Sequence, residues 1–277
     1  MIYEKIDLYA YHGIEKPEGA RGTLTVYVHN PSKEYSSKRI RPAMLVIPGG
    51  AYAFVSDREA EPIALRFLER DYHAFLLDYS VKPIKYPYAL LEACMAMAFI
   101  RENADKYWVD AEHVGAVGFS AGGHLTSTLA TIPDEKEIKD ILGDKVNYCR
   151  PNAVILSYPV ISDEDFAHKG SFDNYCGDDA DLRLRLSTEK RVTENTCPAF
   201  IWSTVGDMGV PLENSVVFAM ALRKYGVPFE LHIYEKGQHG LSLANDEVNT
   251  PNEQVATWFD IAYRWLKEKG FVFKDKN

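Results

Sequence analysis

No run in this chain approaches the roughly 18 consecutive apolar residues that a membrane-spanning helix requires. Basic clusters interleaved with aromatics are missing too, and the net charge is −9. Phosphate backbones and anionic lipid surfaces attract positive charge, so neither nucleic acid nor a membrane is expected as a partner. Cysteine is scarce: Cys94, Cys149, Cys176 and Cys197 stand far apart, without C-x-x-C or other metal-ligand spacing. Buried free thiols are the expectation, and no metal or cofactor is implied. Met1 to Asp7 lack the apolar stretch of a signal peptide. Together with the scattered cysteines, this sets the expectation of a reducing, cytoplasmic location. Internal repeats and low-complexity tracts are absent.

What is present is enough material for one large core, with 46% hydrophobic residues in a chain of 277. A single α/β domain over 1–277 is expected. Apolar, β-branched runs alternate with helical patterns, the signature of a mainly parallel sheet covered by helices on both faces. The opening reads as antiparallel, with strands at Ile2 to Tyr9 and Leu24 to His29. Further strands are expected at Ala43 to Ile47, His73 to Tyr79, His113 to Val117, Ala153 to Ser157, Ala199 to Thr204 and Phe229 to Tyr234. Helices are expected at Asp57 to Arg70, Tyr88 to Lys106, Leu125 to Thr131, Leu212 to Tyr225 and Glu253 to Glu268. Gly226 fits a C-cap, with Pro228 stopping any continuation. The polar, aspartate-rich segment 161–194 breaks the alternation and reads as an insertion over the site, with one short helix near Asp179 to Leu186.

Gly118-Phe119-Ser120-Ala121-Gly122 is a G-x-S-x-G motif between an apolar strand and a helix. In that context the turn is tight enough to expose the serine hydroxyl above the sheet. The motif alone arises by chance in roughly one such chain in fifteen, so its partners decide the matter. A serine needs a base to take its proton and a third group to orient that base. The expected chain order is Ser, then Asp or Glu, then His. Among eight histidines, His239 lies in Gly237-Gln238-His239-Gly240, just beyond the last strand. Asp207, in Gly206-Asp207-Met208-Gly209, follows the strand before it. Both loops leave the carboxyl ends of parallel strands, where such sheets place their sites. His124 stands one helical turn from Ser120 and is assigned to packing or a polar helix contact. His12, His29, His73, His113, His168 and His232 have no motif around them; Glu213, Asp246 and Glu247 look helical or exposed. Oxyanion donors are expected from the Ala121 N–H and from Pro48-Gly49-Gly50-Ala51-Tyr52, with Gly50 and Ala51 the candidates.

These segments, in this order from about Ala43 to Leu266, resemble the α/β-hydrolase superfamily. More closely they resemble its acetyl-esterase/lipase branch, which includes hormone-sensitive-lipase-like and small bacterial xylan-esterase-like esterases. The usual His-Gly-Gly-Gly of lipase-type loops is replaced here by Pro48-Gly49-Gly50-Ala51, and Gly206 stands where a second acid is often found. The resemblance implies hydrolysis of short acyl esters through an acyl-Ser120 intermediate, with a small-molecule ester, an acetylated sugar among the options, as partner. Tyr52 and Trp202 are the candidates for the substrate pocket; Phe54, Phe166, Phe172 and Tyr175 are further aromatics to weigh, with core packing the alternative for each. Two other readings stay open: an amidase or peptidase of formamidase type, and a non-catalytic ligand binder. A homo-oligomer is compatible with the sequence.

Overall fold

A computed structural model describes residues 1–34, 39–133 and 135–275. In chain order the strands are β1 (Ile2–Asp7), β2 (Thr23–Val28), β3 (Arg39–Ile47), β4 (His73–Asp78), β5 (Val109–Phe119), β6 (Val154–Ser157), β7 (Ala199–Thr204), β8 (Phe229–Tyr234) and a short β9 (Lys274–Asp275). The helices are α1 (Leu8–His12), α2 (Glu61–Glu69), α3 (Tyr88–Glu102), α4 (Ala104–Tyr107), α5 (Ala121–Thr131) and α6 (Lys136–Leu142), then α7 (Lys169–Cys176), α8 (Ala180–Arg185), α9 (Glu213–Lys224), α10 (Glu253–Ala256) and α11 (Trp258–Glu268). No helix among the described residues is long and apolar enough to cross a membrane.

The strands form one sheet in the order β1-β2-β4-β3-β5-β6-β7-β8, with β9 beside the start of β3. β1, β2 and β4 pair antiparallel, as the opening of the sequence suggests, and the pairs from β4 through β3 to β8 are parallel. A parallel sheet needs crossovers that cover both faces, and its central strands β6 and β7 and the second half of β5 are accordingly buried throughout, while the edge strand β8 is half-exposed. Period-two alternation divides β3 cleanly: Ala43, Leu45 and Ile47 enter one apolar cluster, while Met44 and Val46 enter the other. The first cluster takes in α3 and α5, and the second takes in α2 and α11. All of Ala89 to Ile100 is buried, which is why α3 reads as apolar around its whole circumference.

Several elements are shorter than their sequence patterns. The strand expected to reach Tyr9 stops at Asp7, whose Oδ1 accepts the Ala10 N–H and caps α1. The helix expected to reach Lys106 breaks at Asn103, and the last long helix breaks at Thr257. The insertion holds two helices, α7 and α8, where one was expected. α7 carries Gly170, Ser171, Asp173 and Asn174, residues of modest helix propensity. Burial of Phe172 and Tyr175 and the His168 Nδ1 cap on Ser171 hold it in place instead.

Candidate active site

β5 delivers Ser120 to a turn with φ 53° and ψ −119°, a strained conformation for a non-glycine residue. The surroundings enforce it. The Ser120 N–H donates to the Ser157 carbonyl on the next strand, and the Ser120 carbonyl accepts from His124 and Val160. A Cβ on Gly118 would lie 2.2 Å from the Gly122 carbonyl oxygen, so only glycine lets helix α5 start this close to its strand.

The three residues expected to work together are brought together. Ser120 Oγ lies 2.7 Å from His239 Nε2, and His239 Nδ1 lies 2.7 Å from Asp207 Oδ2. The second oxygen of Asp207 accepts the N–H groups of Gly209 and Val210, at 2.8 and 2.9 Å. With the Asp207 carboxylate accepting on one side, the imidazole carries its proton on Nδ1, and its Nε2 lone pair accepts the Ser120 hydroxyl proton on the other. Asp207 is buried, whereas the His239 side chain keeps 27% exposure. This is the geometry of a nucleophile, a base and an orienting acid.

The loop after β3 lies against this elbow. Gly50 has φ 125°, and a Cβ there would lie 2.0 Å from the Phe54 carbonyl oxygen. Ala51 and Tyr52 follow at φ 53° and 54°. The Gly50 carbonyl accepts from Ala53 and Phe54, closing the turn. The N–H groups of Gly50, Ala51 and Ala121 donate to no other group among the described residues, which leaves all three available. The insertion grips this loop from outside, for Asn174 Nδ2 donates to the Ala51 carbonyl at 2.8 Å.

The two pocket candidates are corrected. Tyr52 is buried, with its ring stacked on Tyr175 at 4.1 Å and its hydroxyl 2.8 Å from His124 Nδ1. It packs under the loop after β3 and is buried from solvent. Trp202 points from β7 into the second cluster, where it stacks on Trp258 and donates from Nε1 to Ser157 Oγ. Phe172 and Tyr175 are buried as well, while Phe54 and Phe166 remain exposed. Met208, beside Asp207, is 93% exposed. His124 has the packing role expected of it: burial lowers its pKa to about 4, and Nε2 meets the Leu186 carbonyl of the insertion. A neutral ring that donates there must accept from Tyr52.

Sequence reasoning missed Asn174, Tyr158 and Glu59. Glu59 is buried, with one oxygen on the Gly49 N–H and the other on the Tyr158 hydroxyl. Its place in Asp57-Arg58-Glu59, a charged run ahead of a helix, gives no hint of this. The insertion is also more firmly held than its composition suggests. Asn214 accepts from Ile161 and Ser162 and donates to the Phe166 carbonyl, and Arg183 pairs with Asp163 and Asp173.

Comparison with known proteins agrees with this architecture. The BD-FAE family matches residues 27–222. The chain is 39% identical over 250 residues to endo-1,4-beta-xylanase B of Butyrivibrio fibrisolvens. It is 30% identical over 236 residues to the acetylxylan esterase of Xylanibacter ruminicola. These matches take in 85% and 82% of this chain but only 37% and 44% of those longer proteins. Among solved structures, the acetyl ester-xyloside bifunctional hydrolase of Caldicellulosiruptor lactoaceticus is 36% identical with a TM-score of 0.82, covering 97% of both chains. The carboxylesterase Cest-2923 of Lactobacillus plantarum is 28% identical with a TM-score of 0.83, covering 98% of this chain and 99% of that one. The chain belongs to the BD-FAE family, within the esterase branch of the α/β hydrolases.

Proposed function

We propose that the chain is a serine carboxylesterase that removes short acyl groups, acetyl foremost, from acetylated carbohydrates. The observation that carries this reading is the unbroken line Ser120 Oγ–His239–Asp207, with both links at 2.7 Å, beside three uncommitted N–H groups. His239 Nε2 takes the hydroxyl proton as Ser120 Oγ attacks the ester carbonyl. Negative charge then develops on the carbonyl oxygen, where the N–H groups of Gly50, Ala51 and Ala121 serve as donors. Asp207 stabilises the imidazolium so formed. Collapse expels the alcohol, which takes its proton from Nε2 and leaves an acyl-Ser120. Water, deprotonated by the same nitrogen, attacks the acyl carbon and releases the acid.

The carbohydrate half of the reading draws on the acetylxylan esterase and the acetyl ester-xyloside hydrolase among the relatives. Exposed Phe54 and Phe166 offer faces on which a sugar ring can rest. The four buried free thiols fit the reducing, cytoplasmic setting that we assign with this function. A panel of acetylated xylo-oligosaccharides, aryl acetates and N-formyl amides tests the whole reading. Turnover of both acetate classes, abolished by Ser120→Ala, is the expected result. Preference for the formyl amides would make the protein an amidase, and no turnover at all would make it a binder.

A further inference from the structure

The carboxyl group of Glu59 takes no part in the steps above, yet it is buried where two catalytic loops meet. Its Oε2 accepts the Gly49 N–H at 2.8 Å, on the loop that carries Gly50 and Ala51. Its Oε1 accepts the Tyr158 hydroxyl at 2.7 Å. That phenol oxygen in turn accepts the Ser242 N–H at 2.9 Å, three residues beyond His239 in the chain. Ser242 Oγ closes the circuit by donating to the Arg58 carbonyl, and the Tyr158 ring meets the His239 imidazole edge-on at 5.0 Å between centroids. There is little slack at Gly49. A Cβ there would stand 2.7 Å from Glu59 Oε2 and 3.0 Å from Ser120 Cβ, so the Gly49 backbone is packed closely between the carboxyl group and the nucleophile's turn.

We propose that Glu59 is a positioning residue that locks the oxyanion loop and the His239 loop into one register, through Gly49 on one side and Tyr158 on the other. The proposal rests on the serine-esterase reading and extends it to a residue outside the triad. The chemistry explains why a carboxyl group stands here. Both neighbours, an N–H and a hydroxyl, present protons, and a carboxylate offers two acceptors and no donor. Glutamine cannot replace it. If its oxygen faces Gly49, its NH₂ faces a phenol oxygen already occupied by Ser242, and the phenol proton is left without an acceptor. Turned the other way, NH₂ meets N–H. In this buried setting either mismatch pushes the loops apart.

The test compares Glu59→Gln and Tyr158→Phe with the unaltered chain on p-nitrophenyl acetate, with working sites counted by complete phosphonylation of Ser120. In Glu59→Gln, kcat per titrated site is expected to fall by about ten-fold or more, with KM within about two-fold. Affinity for phenylboronic acid, whose tetrahedral adduct on Ser120 places an oxygen in the donor site, should fall in step with kcat. Tyr158→Phe keeps the ring and its packing but cuts the link, so it reports even where Glu59→Gln folds poorly; about three-fold or more is expected. If the variants only lower the melting temperature and the number of titratable sites, with kcat per site unchanged, Glu59 is structural and the proposal is overturned. Acetate turnover that survives Ser120→Ala would instead overturn the serine-esterase reading beneath it.

Discussion

The floor of the site and its rim are built on opposite terms. In the floor, Ser120, Ala51 and Tyr52 all sit at positive φ, and hydrogen bonds fix the groups around them, apart from the free N–H groups of Gly50, Ala51 and Ala121. Glu59 holds Gly49, Asn174 holds Ala51, His124 holds Tyr52, and the N–H groups of Gly209 and Val210 hold the second oxygen of Asp207. Strain of this kind persists only where the surroundings over-determine it. At the rim, Phe54, Phe166, Val205 and Met208 are apolar and exposed. The proposed catalytic groups are thus held by hydrogen bonds, while the side chains proposed to meet the alcohol half of a substrate have no such ties.

Removing the proposed nucleophile tests the floor most severely. Ser120→Ala should lower kcat on p-nitrophenyl acetate by about 10⁶-fold, with an unchanged circular dichroism spectrum. Activity within about ten-fold of the unaltered chain would make the floor a scaffold for something else. Gly50→Ala comes next. Its methyl group would clash with the Phe54 carbonyl, and alanine disfavours φ 125°. Displacing a donor should cost about 10²–10³ in kcat, read in the same assay.

A subtler probe of the floor is its response to acid. Burial holds the folded pKa of His124 near 4, below its ordinary value of 6.5. The unfolded chain therefore binds a proton there first, and His124 stabilises the fold above pH 6.5. That contribution is lost as pH falls toward 4. His124→Gln keeps an acceptor for Tyr52 and a donor for Leu186 without a titrating group. The stability advantage of the unaltered chain over this variant should shrink across that window, by up to about 3 kcal/mol in urea unfolding. A pH-independent difference would show that the ring is not held neutral.

The rim should yield the smallest effects. Phe54→Ala and Met208→Ala are expected to leave p-nitrophenyl acetate kinetics within about three-fold while raising KM for acetylated xylo-oligosaccharides several-fold. Equal losses on both substrates would erase the distinction between floor and rim.

Much of this molecule is legible in order along the chain. Each strand core, the elbow, the acid and the base follow from runs of five to ten residues whose periodicity and glycines carry local meaning. The ends of elements were less legible, because a cap such as Asp7 or a break such as Asn103 competes with a continuing apolar pattern. α7 was not legible at all, since contacts with distant aromatics outweigh its modest propensity.

Local pattern was thus sufficient for the sheet, the loops at its carboxyl edge and the succession Ser120, Asp207, His239. It was silent on where side chains end up. Tyr52 and Trp202 look like pocket residues from their neighbours in sequence, yet both turn inward. The Asn174–Ala51 and Glu59–Tyr158 bonds join residues 123 and 99 positions apart. Such contacts exist only after the strands have taken their places, because nothing local distinguishes a glutamate that will be buried from one that will face water. The candidate triad was written in short motifs, and its alignment arises from bonds between residues that meet only in the folded chain.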